Sequence, residues 1–124
     1  MKYAPEGWFT WEKSLGLQAV QRMMRSWPYN PDRKSDWTPN LVGDCQGKCG
    51  WAESVLLQAG YDSGWLEFWA GDLPDGRSHA VLHVGVHGFS GESVVIVLDC
   101  AQSFPTIADD PCYKEFFLVK RKET

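Results

Sequence analysis

The sequence has no apolar run close to the roughly 20 residues that a membrane-spanning helix needs. It is also short of positive charge. Sixteen acidic residues stand against 12 basic ones, a net charge of −4, and the one basic cluster is the C-terminal KRKET. That balance disfavours a nucleic-acid groove, which needs a basic stripe. No continuous apolar segment follows Lys2, so MKYAPEGWFTWEKSLG does not read as a signal peptide. The chain as given therefore reads as cytoplasmic. Internal repeats and low-complexity tracts are missing too. The four cysteines, at 45, 49, 100 and 112, would fit two disulfides in a secreted domain. In a reducing compartment free thiols are the expectation.

What is there is ordinary globular material. Hydrophobic residues at 44% and charged ones at 23% exclude a disordered chain. The 124 residues suffice for one domain, 1–124, with one core. Seven tryptophans are many for this length. They serve either aromatic-heavy packing or the lining of a groove.

A first helix is expected from about Trp11 to residue 26, with Leu15, Leu17, Val20, Met23 and Met24 recurring at helical spacing. Pro28 ends it. Residues 27–44 form a long loop with three prolines, the kind that carries function or wraps a core. A second helix is expected over 45–59. Cys45, Cys49, Ala52, Val55, Leu56 and Ala59 would share one face, Asp44 is a suitable N-cap and Gly60 a suitable residue after the C-cap. Gly47 and Gly50 weaken that helix, which is tolerable where something approaches closely. Strands follow at 64–70, 79–86, 93–99 and 113–120. Two helices followed by a strand meander predict an α+β fold, with the helices packed on an antiparallel sheet.

Chemistry gathers at three places. On the strand 79–86, His79, Val81, His83 and Gly85 face one side. If the following hairpin turns about Phe89, His79 lies opposite Asp99 on the same face. A carboxylate beside an imidazole orients it and stabilises its protonated form. A cysteine in the first turn of a helix has its thiolate stabilised by the helix N-terminus. Cys45, His79 and Asp99 could then act as nucleophile, base and orienting acid. Cys49, one turn deeper, reads as a small buried residue, as do Cys100 and Cys112. A rival pattern, Cys45 and Cys49 with His79 and His83, resembles a Cys2His2 zinc set. However, ligands four residues apart on a flat strand lie about 13 Å apart.

The order of several short motifs resembles the bacterial transglutaminase-like cysteine proteinases. The matching stretches are Tyr29 to Asp32, Asp36-Trp37-Thr38-Pro39, Gly43-Asp44-Cys45, His79-Ala80-Val81-Leu82 and Val97-Leu98-Asp99, within residues 15–100. The resemblance implies a minimal papain-like, transglutaminase-like core. It also implies thiol acyl transfer on an amide bond by Cys45, His79 and Asp99, on a protein or peptide substrate. Trp37 and Gln46 are candidates for the substrate groove. No cofactor and no metal are implied. Some members of the family bind calcium through acidic residues flanking the cysteine; here Asp44 remains, but Gln46 and Lys48 stand where further acidic ligands are expected. Transamidation or deamidation would use the same triad. A binding or inhibitory protein could keep the fold without turnover.

Overall fold

The computed structural model describes residues 1–31 and 37–119. Asp32 and Asp36, which belong to two of the matching stretches above, lie outside them. Helix α1 spans Trp11–Ser26, capped by Thr10, whose side chain accepts from the Lys13 N–H. Its buried stripe is Leu17, Val20, Gln21 and Met24. Leu15, expected inside, is 46% exposed. The polar Gln21 takes a core position instead, for a reason that appears at the site.

Helix α2 spans Cys45–Gln58. The Asp44 carboxylate accepts the Gly47 N–H at 2.9 Å and closes its N-terminus. At the other end Gly60 adopts φ +100°. The Tyr61 N–H then reaches back to the Leu56 carbonyl, the closing turn that a left-handed glycine permits. The expected single buried face is too narrow. Gly47, Lys48, Gly50 and Glu53 are buried as well as Cys49, Ala52 and Leu56, because the loop before α2 covers its other side. A methyl on Gly50 would run into the Trp37 carbonyl, and one on Gly47 would sit 3.1 Å from that of Asn40. The two glycines are where the loop backbone lies down on the helix.

Five antiparallel strands make one sheet: β1 Leu66–Asp72, β2 Ser78–His87, β3 Ser93–Leu98, β4 Thr106–Ile107 and β5 Phe116–Leu118. Their spatial order is β4-β3-β2-β1-β5. The meander therefore stops at β4, and the last strand crosses to the far edge and pairs with β1. It is also shorter than the expected 113–120, because a 3-10 turn, Pro111–Tyr113, precedes it. The helix-side face of the sheet contributes Phe68, Ala80, Leu82, Val84, Val86 and Leu98 to the main core. Val81 and Val97 pack with Tyr113 and Phe116 on the other face. No helix among the described residues is long and apolar enough to cross a membrane.

One register expectation is corrected. Leu82 faces Leu98, so the β2–β3 turn centres on Ser90 rather than Phe89, and Asp99 lies just past the end of β3 instead of opposite His79. Gly91, at φ +85°, and the bonds between Gly88 and Glu92 and between Gly91 and Gly88 fix that turn. Moving the centre by one residue moves every partner by two. The side-chain period of a strand is also two, so His79 and Asp99 keep their common face.

Candidate active site

Cys45 is the first residue of α2, where the backbone N–H groups have no helical partner and the helix dipole favours negative charge. Below it, His79 enters near the start of β2, opposite Gly71 of β1. Its Nε2 donates to the Asp99 Oδ1 at 2.5 Å. The Cys45 thiol is a hydrogen-bond partner of the same ring. Burial works against a charged imidazole here, but the bond to Asp99 and the Cys45 sulfur outweigh it and push the His79 pKa up to about 9.

Asp99 is fully buried, and both of its carboxylate oxygens are engaged. Its Oδ1 also accepts the Ala101 N–H at 2.8 Å, and its Oδ2 accepts the Tyr113 hydroxyl at 2.7 Å. The same hydroxyl is 2.9 Å from the Thr106 Oγ1. Burial would raise the Asp99 carboxyl, but the His79 ring, the Ala101 N–H and the Tyr113 hydroxyl hold it below the usual carboxylate range. Gln21, reaching from α1, grips the backbone of this residue. Its Oε1 accepts the Asp99 N–H at 2.8 Å, and its Nε2 donates to the Asp99 carbonyl and, at 2.7 Å, to that of Gln102. Arg25, one turn further along α1, donates to the Ala101 carbonyl at 2.5 Å. One helix therefore positions Asp99 and the other Cys45.

A cleft of about 450 Å³ opens over Cys45 and His79, lined among others by Tyr29, Asp44, Gln46, Gly71 and Phe117. Of the two groove candidates, Gln46 is in this lining and Trp37 is not. Trp37 stacks flat on Phe68, centroids 4.2 Å apart, and so pins the loop to the core.

The residues of the rival zinc pattern do not converge. His83 is stacked on Trp69 with ring centroids 4.6 Å apart, and burial pushes its pKa down to about 4. Cys49 is fully buried, and burial holds its thiol well above the ordinary range. Among the described residues, the potential metal donors that do cluster are His79, Asp99 and Cys100, within 4.8 Å of one another. All four cysteines are free thiols. Burial, then Asp99 and Cys45, push Cys100 up to about 12.

Sequence reasoning missed Gln21 and Tyr113. Gln21 carried a signal, a polar residue at the i+4 position of an apolar stripe. Tyr113 carried none, since no local pattern ties a residue 14 positions downstream to Asp99.

The arrangement is that of an α+β fold presenting a helix-starting cysteine to a buried His–Asp pair. No family model and no curated protein matches the chain. Solved structures do. Legionella pneumophila LapG superimposes with a TM-score of 0.65 at 20% identity, covering 85% of this chain and 62% of that one. Its calcium-bound form gives 0.63 over 85% and 62%, and its EGTA-treated form 0.64 over 89% and 69%, both at 20% identity. At that identity the likeness is one of fold, the transglutaminase-like one. The matched part is less than two thirds of the first LapG chain.

Proposed function

We propose that the protein is a cysteine hydrolase of peptide or amide bonds, with Cys45 as nucleophile, His79 as its general base and acid, and Asp99 as the group that orients the ring. The observation that carries this reading is the 2.5 Å bond from His79 to a fully buried Asp99, with the Cys45 thiol on the same imidazole. LapG, a cysteine protease of the same fold, supports it.

In the proposed cycle the Cys45 sulfur gives its proton to His79 and attacks the amide carbonyl. The oxyanion is met by backbone N–H groups at the start of α2. Collapse breaks the C–N bond, and His79 passes the proton to the leaving amine. Water, deprotonated by the same imidazole, then attacks the thioester and frees the acid and the thiol. Gln46, lining the cleft beside the nucleophile, is placed to contact the substrate. A protein or peptide fits an open cleft of this size better than a small molecule that must be enclosed.

LapG has a calcium-bound form. The residues beside Cys45 do not fit that ion here. The Asp44 carboxylate is engaged through its Oδ1 as the helix cap, Gln46 offers a single neutral amide oxygen where calcium takes roughly six to eight oxygen ligands, and the next polar side chain, Lys48, brings a positive charge. We therefore propose that the site works without calcium.

Alkylation by iodoacetamide at pH 6, read residue by residue by mass spectrometry, tests both points. An ordinary thiol, with a pKa of about 8.5, is almost wholly protonated there and reacts slowly. Cys45 should react at least tenfold faster than Cys49, Cys100 and Cys112, lose that lead in His79→Ala, and keep it in EGTA. Four equally slow thiols would leave a binding protein that retains the fold. A lead abolished by EGTA would restore calcium.

A further inference from the structure

We propose that Lys48 is an internal cation that assembles one wall of the cleft, a positioning residue that ties two loop segments to α2 and so sets Tyr29 beside Cys45. The proposal rests on the catalytic reading only for its effect on substrate. The assembly itself is a matter of geometry.

Lys48 is 1% exposed. An ammonium has three donors and no acceptor, and here three acceptors converge on it. The Nζ donates to the carbonyls of Trp27 at 3.0 Å, Pro28 at 3.2 Å and Leu41 at 2.6 Å. All three are neutral backbone oxygens, the ligands that hard metal cations also select. The first two belong to the segment that runs directly into Tyr29 and Pro31, both in the cleft lining. The third belongs to the turn that delivers Gly43, Asp44 and Cys45. A second tie joins the same two segments, since the Asn30 N–H donates to the Gly43 carbonyl at 3.1 Å. Lys48 lies three residues after Cys45, so both project from one side of α2. Tyr29 is 59% exposed and lines the cleft together with Cys45; its partial burial and the nearby Cys45 and Asp44 raise its phenol.

Burying a charge among carbonyls is costly unless each donor is met. A leucine or methionine would fill the volume without joining the loop segments. The lysine joins them, at the end of a side chain anchored in the catalytic helix. Removing the ammonium should therefore release the wall and leave the His79–Asp99 pair, on the sheet, in place.

The test uses Lys48→Met and two probes of different size. Iodoacetamide needs only the thiol and its imidazole. A mixture of tripeptidyl chloromethyl ketones needs the cleft wall as well. In Lys48→Met, alkylation of Cys45 by iodoacetamide should stay within twofold of wild type, while inactivation by the peptidyl ketones slows at least tenfold. Amide hydrogen exchange in 27–31 and 40–44 should accelerate at least tenfold. In Lys48→Ala, propylammonium chloride, which replaces the missing chain and charge, should restore both. Equal loss with both reagents, or unchanged exchange in the two segments, overturns the proposal. Should neither variant fold, wild-type exchange decides. Two segments held by one ammonium open together, and independent opening overturns it. If wild-type Cys45 proves unreactive, the catalytic reading has failed, and the exchange results still decide the role of Lys48.

Discussion

At the scale of single residues the site depends on how fully Asp99 is satisfied. A buried carboxylate is stable only with each oxygen engaged, and Tyr113 supplies the bond to Oδ2. Tyr113→Phe keeps the ring and leaves that oxygen unpaired, so about 1–3 kcal/mol of stability should be lost, as read by urea unfolding. The change should also reach His79. Without the hydroxyl the carboxylate holds its charge closer to the imidazole, and the His79 pKa followed by NMR should rise above its wild-type value. An unaltered titration would mean that Tyr113 is merely packed there. This pairing of histidine and acid was half legible in the sequence. Alternation along β2 gave the shared face and Asp44 gave the helix start, but the turn centre is set by the Gly88–Glu92 loop, which no periodicity reveals. The Gln21 grip on the Asp99 backbone joins residues 78 apart, a tertiary relation that spacing within one helix cannot encode.

Among the elements, α2 bears the most constraint, with the sheet on one side and the covering loop on the other. Its Gly50 acts in the opposite way to Gly16, the one glycine of α1. Replacing a mid-helix glycine by alanine gains about 1 kcal/mol of intrinsic propensity. At Gly16 of α1 nothing lies within 4 Å of the added methyl, so Gly16→Ala should stabilise by about 0.5–1 kcal/mol. At Gly50 the methyl meets the Trp37 carbonyl. Backbone cannot rotate aside as a flexible side chain can, and overpacking costs about 1–3 kcal/mol. Gly50→Ala should therefore destabilise in urea unfolding despite its better propensity, and a gain there would show that the loop yields. The helices were readable because caps and apolar spacing coincide. The short elements were not. The two residues of β4 complete no period, and β5 pairs with β1 because the stretch between β4 and β5 crosses to the far edge of the sheet, which composition does not disclose.

For the molecule as a whole, two histidines four residues apart on β2 should shape stability against pH in opposite directions. His79 is raised to about 9 by Asp99 and Cys45. Its folded pKa exceeds the ordinary 6.5, so its contribution is full below pH 6.5 and is lost as pH climbs through 9. His83 is depressed to about 4 by burial under Trp69. The folded state refuses its proton, so its contribution is full above pH 6.5 and is lost as pH falls toward 4. Each shift corresponds to roughly 2–4 kcal/mol, enough to dominate a domain of ordinary stability. Above about pH 8.5, where unfolded thiols ionise, the buried Cys49 and Cys100 add to the alkaline loss, because their thiols too are raised in the folded state. The share of His79 is therefore cleanest between pH 6.5 and 8.5. Urea unfolding across pH 4–9 should give a maximum near 6.5. His79→Ala should flatten the limb between 6.5 and 8.5 and leave the acid limb standing, and His83→Leu should do the reverse. If one variant flattened both limbs, the two rings would be titrating as a coupled pair. The two environments, one ring at the cleft against Asp99 and Cys45 and the other beneath Trp69, would then not be independent.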